Sequence, residues 1–331
     1  MRAVVFGASG QVGRAAAAEL ARAGWQVAAV VRGGRELPAE LAALGVVRHE
    51  PGSSRAALIG QMGGADAVLD PLAYDAADAD DLMAAQADVG AFCVISTASV
   101  YADAAGRGFE TGDGFPDYPD PIHEHQPRVT PGEGYSAGKV AMENALQRCK
   151  TPLALLRPGA IHGIGSRHPR EFWFVKRALD GRHLVPLVAG GRSVFHTTST
   201  LGLAQLALHC LTRRISGTFK AADPVAPSVA KIAQLVGAAM GHEFTLIPVE
   251  SLPDAATHVG QTPWSTARPL RLSTDLARAT GWDGGPDYAT CLPPYLDWLS
   301  AMAADWKTAF PVFGAYGHDP FDDAAEDAAP C

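Results

Sequence analysis

Tyr135 and Lys139 stand four residues apart in the run YSAGK, at the start of a helix predicted over 133–149. Residues at positions i and i+4 share one face of a helix, so the phenol and the ammonium would lie side by side. Because a neighbouring cation favours the phenolate, this pairing predicts a lowered pKa for Tyr135. Tyr135 is therefore a candidate general acid and base. The alternative is a surface pair on an ordinary helix.

A second group of reactive side chains lies in the run ISTASVY at 95–101, which leaves the carboxyl end of a strand predicted over 91–95. Hydroxyl groups at that edge face the crevice in which open α/β sheets bind ligands. Such a hydroxyl can donate to a substrate oxygen that gains negative charge during hydride transfer. The alternative is ordinary turn formation by Ser and Thr.

Gly7, Gly10 and Gly13 follow a strand predicted over 2–6 and open a helix predicted over 11–23. In this position the first glycine permits a tight turn, the second lets the backbone approach a diphosphate, and the third lets the helix pack closely. The N–H groups of the first helical turn then face the phosphates. The spacing is G-x-x-G-x-x-G, so the place of the run between strand and helix carries the prediction. The alternative is a plain turn.

Arg32 follows the second predicted strand, 26–31, where an acidic residue would hold the ribose 2′-hydroxyl of NAD. A guanidinium suits a 2′-phosphate and cannot accept a hydrogen bond from a hydroxyl. With Arg35 close by in the sequence, this end of the strand favours NADP over NAD. The alternative is an exposed arginine at the end of a strand.

The elements that would position these groups alternate between short β-branched runs and Ala-rich helical runs. Parallel neighbouring strands need helical crossovers, so the alternation predicts an α/β fold with a Rossmann-type doubly wound parallel sheet over 1–163. Mixed elements over 164–310 predict a smaller α/β substrate lobe, with some chain returning to the first domain. The acidic segment 311–331 is predicted to be a flexible tail. The Gly-, Pro- and Asp-rich loop at 101–132 is expected to be functional or mobile.

The composition excludes several classes of protein. A net charge of −8 argues against binding to a nucleic-acid backbone, and no apolar run reaches the roughly 18 residues of a membrane span. The five cysteines are scattered, which predicts reduced thiols and neither a disulfide framework nor a zinc site. The only tight histidine cluster, His123 and His125, lies in a Pro-rich loop, so no metal site is expected. The chain is expected to be soluble and cytoplasmic.

An ordered set of motifs over nearly the whole chain, to about Trp282, resembles the extended short-chain dehydrogenases/reductases of the NAD-dependent epimerase/dehydratase type. The set is far more specific than any one of its motifs. The matching runs are GASGQVG at 7–13, DAVLDPLA at 66–73, STASVY at 96–101, EHQP at 124–127, YSAGK at 135–139, LRPGAIHG at 156–163 and RSVFH at 192–196.

By that resemblance, Tyr135 is the catalytic acid and base, Lys139 binds the nicotinamide ribose and tunes the tyrosine, and Thr97 is the catalytic hydroxyl. The family often forms homodimers through the helix that bears the tyrosine and the helix before it. The residues predicted to bind the cofactor are Gly7, Ser9, Gly10, Gln11, Val12, Arg32, Pro71, Leu72, Ala73, Ser96, Tyr135, Lys139 and Pro158.

Departures from the family pattern narrow the expected reaction. Ala98 and Ser99 stand where sugar-nucleotide dehydratases carry Asp-Glu, so a dehydratase is not expected. Ala160 stands where relatives that bind nucleotide sugars often carry Asn, which weakens that substrate class. Arg192 and His196 remain candidates for binding a substrate, together with Ser99.

The resulting prediction is an NAD(P)-dependent enzyme that transfers hydride between a nicotinamide and a carbonyl or secondary alcohol of a small organic substrate. One alternative is a nucleotide-sugar epimerase with tightly bound NAD. Another is a non-catalytic relative that senses dinucleotides or binds RNA, against which the intact pair of Tyr135 and Lys139 argues. The identity of the substrate is left open.

Overall fold

The structure is a computed structural model that describes residues 1–34, 38–50, 52–112, 114–249 and 258–328. The chain divides into two compact units. The first unit consists of Met1–Gly159, Thr200–Ala222 and Leu272–Gly285, and the second of Ala160–Ser199, Asp223–Arg271 and Pro286–Cys331. Beyond Gly159 the chain therefore returns twice to the first unit.

Regular elements alternate along the chain. The strands are β1 (Arg2–Phe6), β2 (Gln26–Arg32), β3 (Gly45–His49), β4 (Ala67–Asp70), β5 (Phe92–Ile95), β6 (Leu153–Pro158), β7 (Ala160–His162), β8 (Leu184–Val188), β9 (Thr197–Ser199), β10 (Gly217–Ala221) and β11 (Thr245–Val249). The α-helices are α1 (Gln11–Arg22), α2 (Arg55–Gln61), α3 (Ala76–Ala84), α4 (Tyr135–Leu146), α5 (Phe172–Leu179), α6 (Thr200–Arg213), α7 (Val229–Met240), α8 (Asp275–Ala279), α9 (Tyr288–Ala301), α10 (Trp306–Ala309) and α11 (Asp323–Ala328). Short 3₁₀ turns occur at Ala39–Leu41, Gln86–Asp88, Ala98–Val100, Ala189–Gly191, Ala303–Asp305 and Pro311–Ala315.

The first unit is built on a parallel sheet with the strand order β3-β2-β1-β4-β5-β6-β10. Val5 of β1 pairs with Ala29 of β2 on one side and with Leu69 of β4 on the other. The strand order therefore reverses beside β1, and such a switch point is where doubly wound sheets bind ligands. The order confirms the predicted Rossmann-type sheet.

Helices cover both faces of this sheet, because each parallel crossover returns over one face or the other. Strand β5 is accordingly buried at all four of its residues. Each large aliphatic or aromatic side chain removed from water stabilises the fold by about 1.5–3 kcal/mol. Members of this core include Val4, Phe6, Val30, Val68, Leu82, Phe92, Val94, Met142 and Leu155.

The second unit contains two parallel strand pairs, β8 with β11 and β7 with β9. Its core is mainly aromatic. Phe172, Trp173 and Phe174, at the start of α5, are all buried, and Phe174 stacks on Trp264 with ring centroids 6.1 Å apart. The apolar face of α5 is thus used for packing within the unit.

The prediction of a flexible tail at 311–331 differs from the structure, which packs residues 311–328 into the second unit. Phe313 is only 1% exposed, and Glu326 of α11 forms an ion pair with Arg177. The physical reason is charge: the guanidinium of Arg177 is buried, and a buried charge requires a partner. The acidic composition that suggests a solvated tail instead supplies that partner.

Helices α6 and α9 have 14 residues each, fewer than the roughly 20 residues that span a bilayer. Across the described ranges, no helix is both long enough and apolar enough to cross a membrane.

Candidate active site

The turn between β1 and α1 can be built only with glycine at two of its positions. Gly7 has φ +58°, a conformation that side chains rarely adopt. A Cβ on Gly13 would lie 2.4 Å from the carbonyl oxygen of Gly7, closer than non-bonded atoms approach. The turn is closed by a hydrogen bond of 2.8 Å from the N–H of Gly10 to the same oxygen. The helix therefore begins in close contact with the strand.

The N-terminus of α1 is suited to an anion. Its N-cap, Gly10, supplies no side-chain hydrogen bond, and the first turn contains no acidic residue. The N–H groups that open a helix have no carbonyl partner within it, and the helix dipole favours negative charge there. Ser9, Gln11 and Val12 belong to this turn or to the first helical turn. This geometry fits the diphosphate of a dinucleotide.

The residues after β4 form a second turn beside the glycines. The carboxylate of Asp70 accepts the N–H groups of Leu72 at 2.7 Å and Ala73 at 3.0 Å, and thereby fixes the backbone from Pro71 onward. Side-chain carbons of Leu72 lie 2.9 Å from the point where a Cβ on Gly7 would be. The structure thus brings these predicted cofactor residues together.

Lys139 is buried, and its ammonium connects the ends of two strands. It donates to the carbonyl of Ala73 at 2.7 Å and to the carbonyl of Ile95 at 2.9 Å. Burial lowers the pKa of Lys139 to about 8, which nearby carboxylates such as Asp70 partly oppose. The ammonium therefore lies at the carboxyl edge of the sheet, between β4 and β5.

Tyr135 begins α4, and its side chain is 44% exposed. Its phenol lies near enough to Thr97 for that hydroxyl to lower the pKa of Tyr135. Thr97 also accepts the N–H of Ser99 at 3.1 Å, and the two hydroxyl oxygens are 3.0 Å apart. The three residues that the resemblance assigns to catalysis, Thr97, Tyr135 and Lys139, are therefore neighbours in the first unit.

The predicted lowering of the Tyr135 pKa is wrong for this structure. The part of Tyr135 that is removed from water raises the pKa of its phenol, although the residue is 44% exposed, and the hydroxyl of Thr97 only partly offsets that effect. The ammonium of Lys139 lies 5.9 Å from the centre of the phenol ring and is bound to two carbonyls. Spacing along a helix predicts proximity, but it does not show where the charge is directed or how far burial disfavours the phenolate.

A buried ionic network lies beneath this site. The carboxylate of Glu143 accepts from Ser96 at 2.6 Å, from Arg157 at 2.8 Å and from Arg128 at 2.8 Å. The hydroxyl of Ser96, predicted to bind the cofactor, is thus bonded to Glu143. Pro158 follows Arg157 and ends β6. Sequence reasoning missed Glu143, although its place four residues after Lys139 puts it on the same helical face.

Arg32 ends β2 with an exposed side chain, as the prediction of a cofactor contact requires. An additional charge occurs beside it. The carboxylate of Glu50, which follows β3, lies 3.3 Å from the point where a Cβ on Gly33 would be. The nucleotide end of the site therefore has a cation and an anion, of which sequence reasoning found only the cation. Arg35 lies outside the described residues.

Arg192 and His196, predicted to bind a substrate, belong to the second unit. Arg192 is exposed after a 3₁₀ turn, whereas His196 is buried with its Nε2 2.9 Å from the carbonyl oxygen of Asp223. The carboxylate of Asp223 is in turn 2.8 Å from His162. Among the residues that the structure describes, no three His, Cys, Asp or Glu side chains are grouped to hold a metal ion.

Comparison with known families finds one match. Residues 7–169 match the model of a family described as NAD(P)H-binding. The match begins at the first glycine of the turn and includes Thr97, Tyr135 and Lys139. No curated protein matches the sequence.

Several solved structures share the fold. UDP-glucose-4-epimerase from Stenotrophomonas maltophila, solved with NAD and formylated UDP-arabinopyranose, aligns with a TM-score of 0.69 at 18% identity, over 92% of this chain and 99% of that one. UDP-N-acetylglucosamine 4-epimerase from Bacillus cereus gives 0.66 at 16% identity, over 90% and 99%. UDP-glucose 4-epimerase from Thermus thermophilus, in complex with NAD, gives 0.64 at 17% identity, over 91% and 99%.

Identities this low show a common fold and leave the reaction open. The alignments nevertheless extend over the second unit as well as the first, and the family match is confined to the first half of the chain. Together they agree with the predicted resemblance: residues 7–169 match a family described as NAD(P)H-binding, and the chain shares its fold with solved structures of UDP-sugar 4-epimerases.

Proposed function

We propose that this protein is an NAD(P)-dependent oxidoreductase that acts on a carbonyl or secondary alcohol of a small organic substrate. The observation that carries the proposal is the contact of the Tyr135 phenol with Thr97, beside the ammonium of Lys139, at the edge of the sheet where the glycine turn lies. A bound nicotinamide would supply or accept the hydride. The protein would supply the proton and orient the substrate oxygen.

Tyr135 is the proton-transfer group in this proposal. Its pKa is raised by burial, so at neutral pH it is a phenol that can donate to an oxygen becoming an alcohol. Thr97 accepts the N–H of Ser99 and still has a hydroxyl proton to donate, to the hydroxyl of Ser99, to Tyr135 or to the substrate oxygen. The pair would polarise a carbonyl from one side.

Lys139 has one donor to spare for a cofactor. An ammonium has three N–H groups, and the carbonyls of Ala73 and Ile95 take two of them. Within the described part of the chain, no other acceptor binds the third. A ribose hydroxyl at this edge of the sheet would complete the set, which supports a role for Lys139 in holding the nicotinamide ribose.

NADP is the cofactor that Arg32 favours, because an exposed guanidinium at the end of β2 can pair with a 2′-phosphate. Glu50 acts in the opposite direction, since a carboxylate repels that phosphate and can accept from a 2′-hydroxyl. We give the greater weight to Arg32, because it ends the strand next to the glycine turn. The balance is directly measurable as relative affinity for the two dinucleotides.

The decisive experiment is NADPH oxidation with a panel of aldehydes and ketones, and NADP reduction with the matching alcohols. The Tyr135→Phe variant is expected to bind NADPH normally and to turn over at least about 100-fold more slowly, the usual contribution of a proton-transfer group. Cofactor binding, followed by the fluorescence of NADPH, shows that the variant is folded. Retention of full turnover by this variant would remove Tyr135 from the mechanism.

A second candidate is a nucleotide-sugar epimerase, which the similar structures of UDP-sugar 4-epimerases favour. The same phenol would then take the proton of a sugar hydroxyl and return it. NAD that remains with the purified protein, together with binding of a UDP-sugar, would select this reaction over net oxidoreduction.

The expectations that the protein forms homodimers and lies in the cytoplasm stay predictions.

A further inference from the structure

The long loop before α4 has an ordered core built on one carboxylate. Asp103, which is buried, accepts the backbone N–H groups of Ala105, Arg107 and Asp117, each at 2.9 Å. These hydrogen bonds hold the pKa of Asp103 well below its usual range. A segment that the sequence leaves as an irregular loop is therefore fixed at its base.

Aromatic packing fixes the outer part of the same loop. The ring of Phe109 lies 5.7 Å from those of Phe115 and Tyr118, measured between centroids. The hydroxyl of Tyr118 donates to the carbonyl of Tyr101 at 2.9 Å. Glu110 directly follows Phe109, so its backbone is held by this cluster.

Glu110 reaches the start of the helix that bears Tyr135. The N-cap of α4 is Gly134, which has no side chain to cap the helix, and the carboxylate of Glu110 accepts the N–H of Ser136 at 3.0 Å. Gly134 has φ +97°, and a Cβ there would lie 2.8 Å from the carboxylate oxygen. Glycine at the N-cap thus makes room for a cap supplied from 26 residues earlier in the chain.

We propose that Glu110 is a positioning residue for the proposed reaction: its carboxylate caps the helix that begins at Tyr135 and thereby fixes the backbone from which the phenol extends. Only the effect of this cap on catalysis rests on the proposed function. The cap and the charge are properties of the first unit that can be measured without a substrate.

The groups that face the phenol agree with this role. Thr97 lowers the pKa of Tyr135, whereas the charge of Glu110 and the neighbouring Tyr74 raise it further above the value set by burial. Lys139, 5.9 Å from the ring, is the cation on the same helix. Glu110 is therefore the only carboxylate among the described residues that raises the pKa of this phenol.

Two variants separate the charge from the cap. Glu110→Gln keeps an oxygen that can accept the N–H of Ser136 and removes the charge, whereas Glu110→Ala removes both. Glu133→Gln is the matched control, because Glu133 is exposed and lies two residues before Tyr135, so the substitution removes the same charge near the start of the same helix. Ionisation of Tyr135 is read as tyrosinate absorbance against pH, taken as the difference between each protein and the same protein carrying Tyr135→Phe.

We expect the titration of Tyr135 to move to lower pH in Glu110→Gln and to stay in place in Glu133→Gln. Hydrogen exchange at the amide of Ser136 should accelerate in Glu110→Ala more than in Glu110→Gln. Exchange at the Ser136 amide that is as slow in Glu110→Ala as in the unmodified protein would overturn the proposal. Failure of the proposed function would appear separately, as unchanged turnover in the Tyr135→Phe protein. The titration and the exchange measurement could still be interpreted in that case.

Discussion

The ammonium of Lys139 and the carbonyl of Ala73 are joined by a hydrogen bond of 2.7 Å, although 66 residues separate them in the chain. This bond attaches α4 to the turn after β4, the same turn that packs against Gly7. The helix that carries Tyr135 and the turn expected to contact the dinucleotide are therefore held as one piece.

Replacing Lys139 by Met should weaken both the fold and the cofactor complex. Two buried carbonyls lose their donor, and hydrogen bonds that involve a charged group contribute about 1.5–3 kcal/mol to stability. We expect a loss of that order in the free energy of unfolding, measured by urea denaturation, and weaker binding of NADPH. Lys150→Met is the control, because Lys150 is exposed and lies in the segment between α4 and β6. Equal stability of the two variants would contradict the role given to Lys139.

The pKa of Lys139, about 8 against 10.5 for a free side chain, gives stability a defined dependence on pH. Between those values the unfolded chain binds more protons than the folded one, so the free energy of unfolding rises with pH. Lys220, with a pKa also lowered to about 8, acts in the same direction. Buried thiols with raised pKa values, such as Cys93 and Cys210, act in the opposite direction over the same range, so the prediction concerns a difference between two proteins. We expect the free energy of unfolding of the unmodified protein, relative to that of Lys139→Met, to rise from pH 8 toward pH 10. A slope unaffected by this substitution would show that Lys139 is solvated and not buried.

Gly13→Ala tests the close approach of α1 to β1. The new Cβ would meet the carbonyl oxygen of Gly7 at 2.4 Å and its carbonyl carbon at 2.7 Å, and both of these are backbone atoms that cannot turn away. Forcing a methyl group into packed structure destabilises by about 1–3 kcal/mol, and here it also displaces the expected diphosphate site. Gly60→Ala is matched in chemistry, since Gly60 lies in α2 with open space around it. That control should be neutral or stabilising by up to about 1 kcal/mol. Thermal unfolding and NADPH titration of both variants provide the comparison.

Glu143→Ala should be among the most destabilising single changes in the first unit. It leaves the buried guanidinium of Arg157 without its carboxylate, and breaking a buried pair in this way typically removes about 3–5 kcal/mol. Asp80→Ala breaks the pair with Arg148, in which both side chains are mostly exposed, and should change stability by less than about 1 kcal/mol. Chemical denaturation of the two variants gives the difference, and similar losses would mean that the network around Glu143 is hydrated.

Local patterns explain what could be predicted of this site. The positions of Gly7 and Gly13 follow from one turn, and the proximity of Tyr135 and Lys139 follows from one helix. The partners of Lys139 could not be predicted, because Ala73 and Ile95 come from other crossovers, 66 and 44 residues away.

Two further features show the limit of such reasoning. Glu110 lies in a loop without periodicity, and its contact with Ser136 depends on packing among Phe109, Phe115 and Tyr118. The direction of the Tyr135 pKa shift depends on burial, which residue spacing does not report. The parallel sheet with helical crossovers, in contrast, follows from the alternation of strands and helices along the chain.

Arg32 and Glu50 give opposing predictions for the two dinucleotides. Arg32→Ala should weaken NADPH binding roughly tenfold or more, because a charge-assisted hydrogen bond to a phosphate contributes about 1.5–3 kcal/mol, and should leave NADH binding nearly unchanged. Glu50→Gln should do the reverse, strengthening NADPH binding by removing repulsion and weakening NADH binding by removing an acceptor. Dissociation constants for both dinucleotides, measured at two salt concentrations, test this pair of expectations, since pairing with a 2′-phosphate is sensitive to ionic strength. Unchanged NADPH affinity in Arg32→Ala would assign the exposed guanidinium to the surface, and the preference would then follow Glu50 toward NAD.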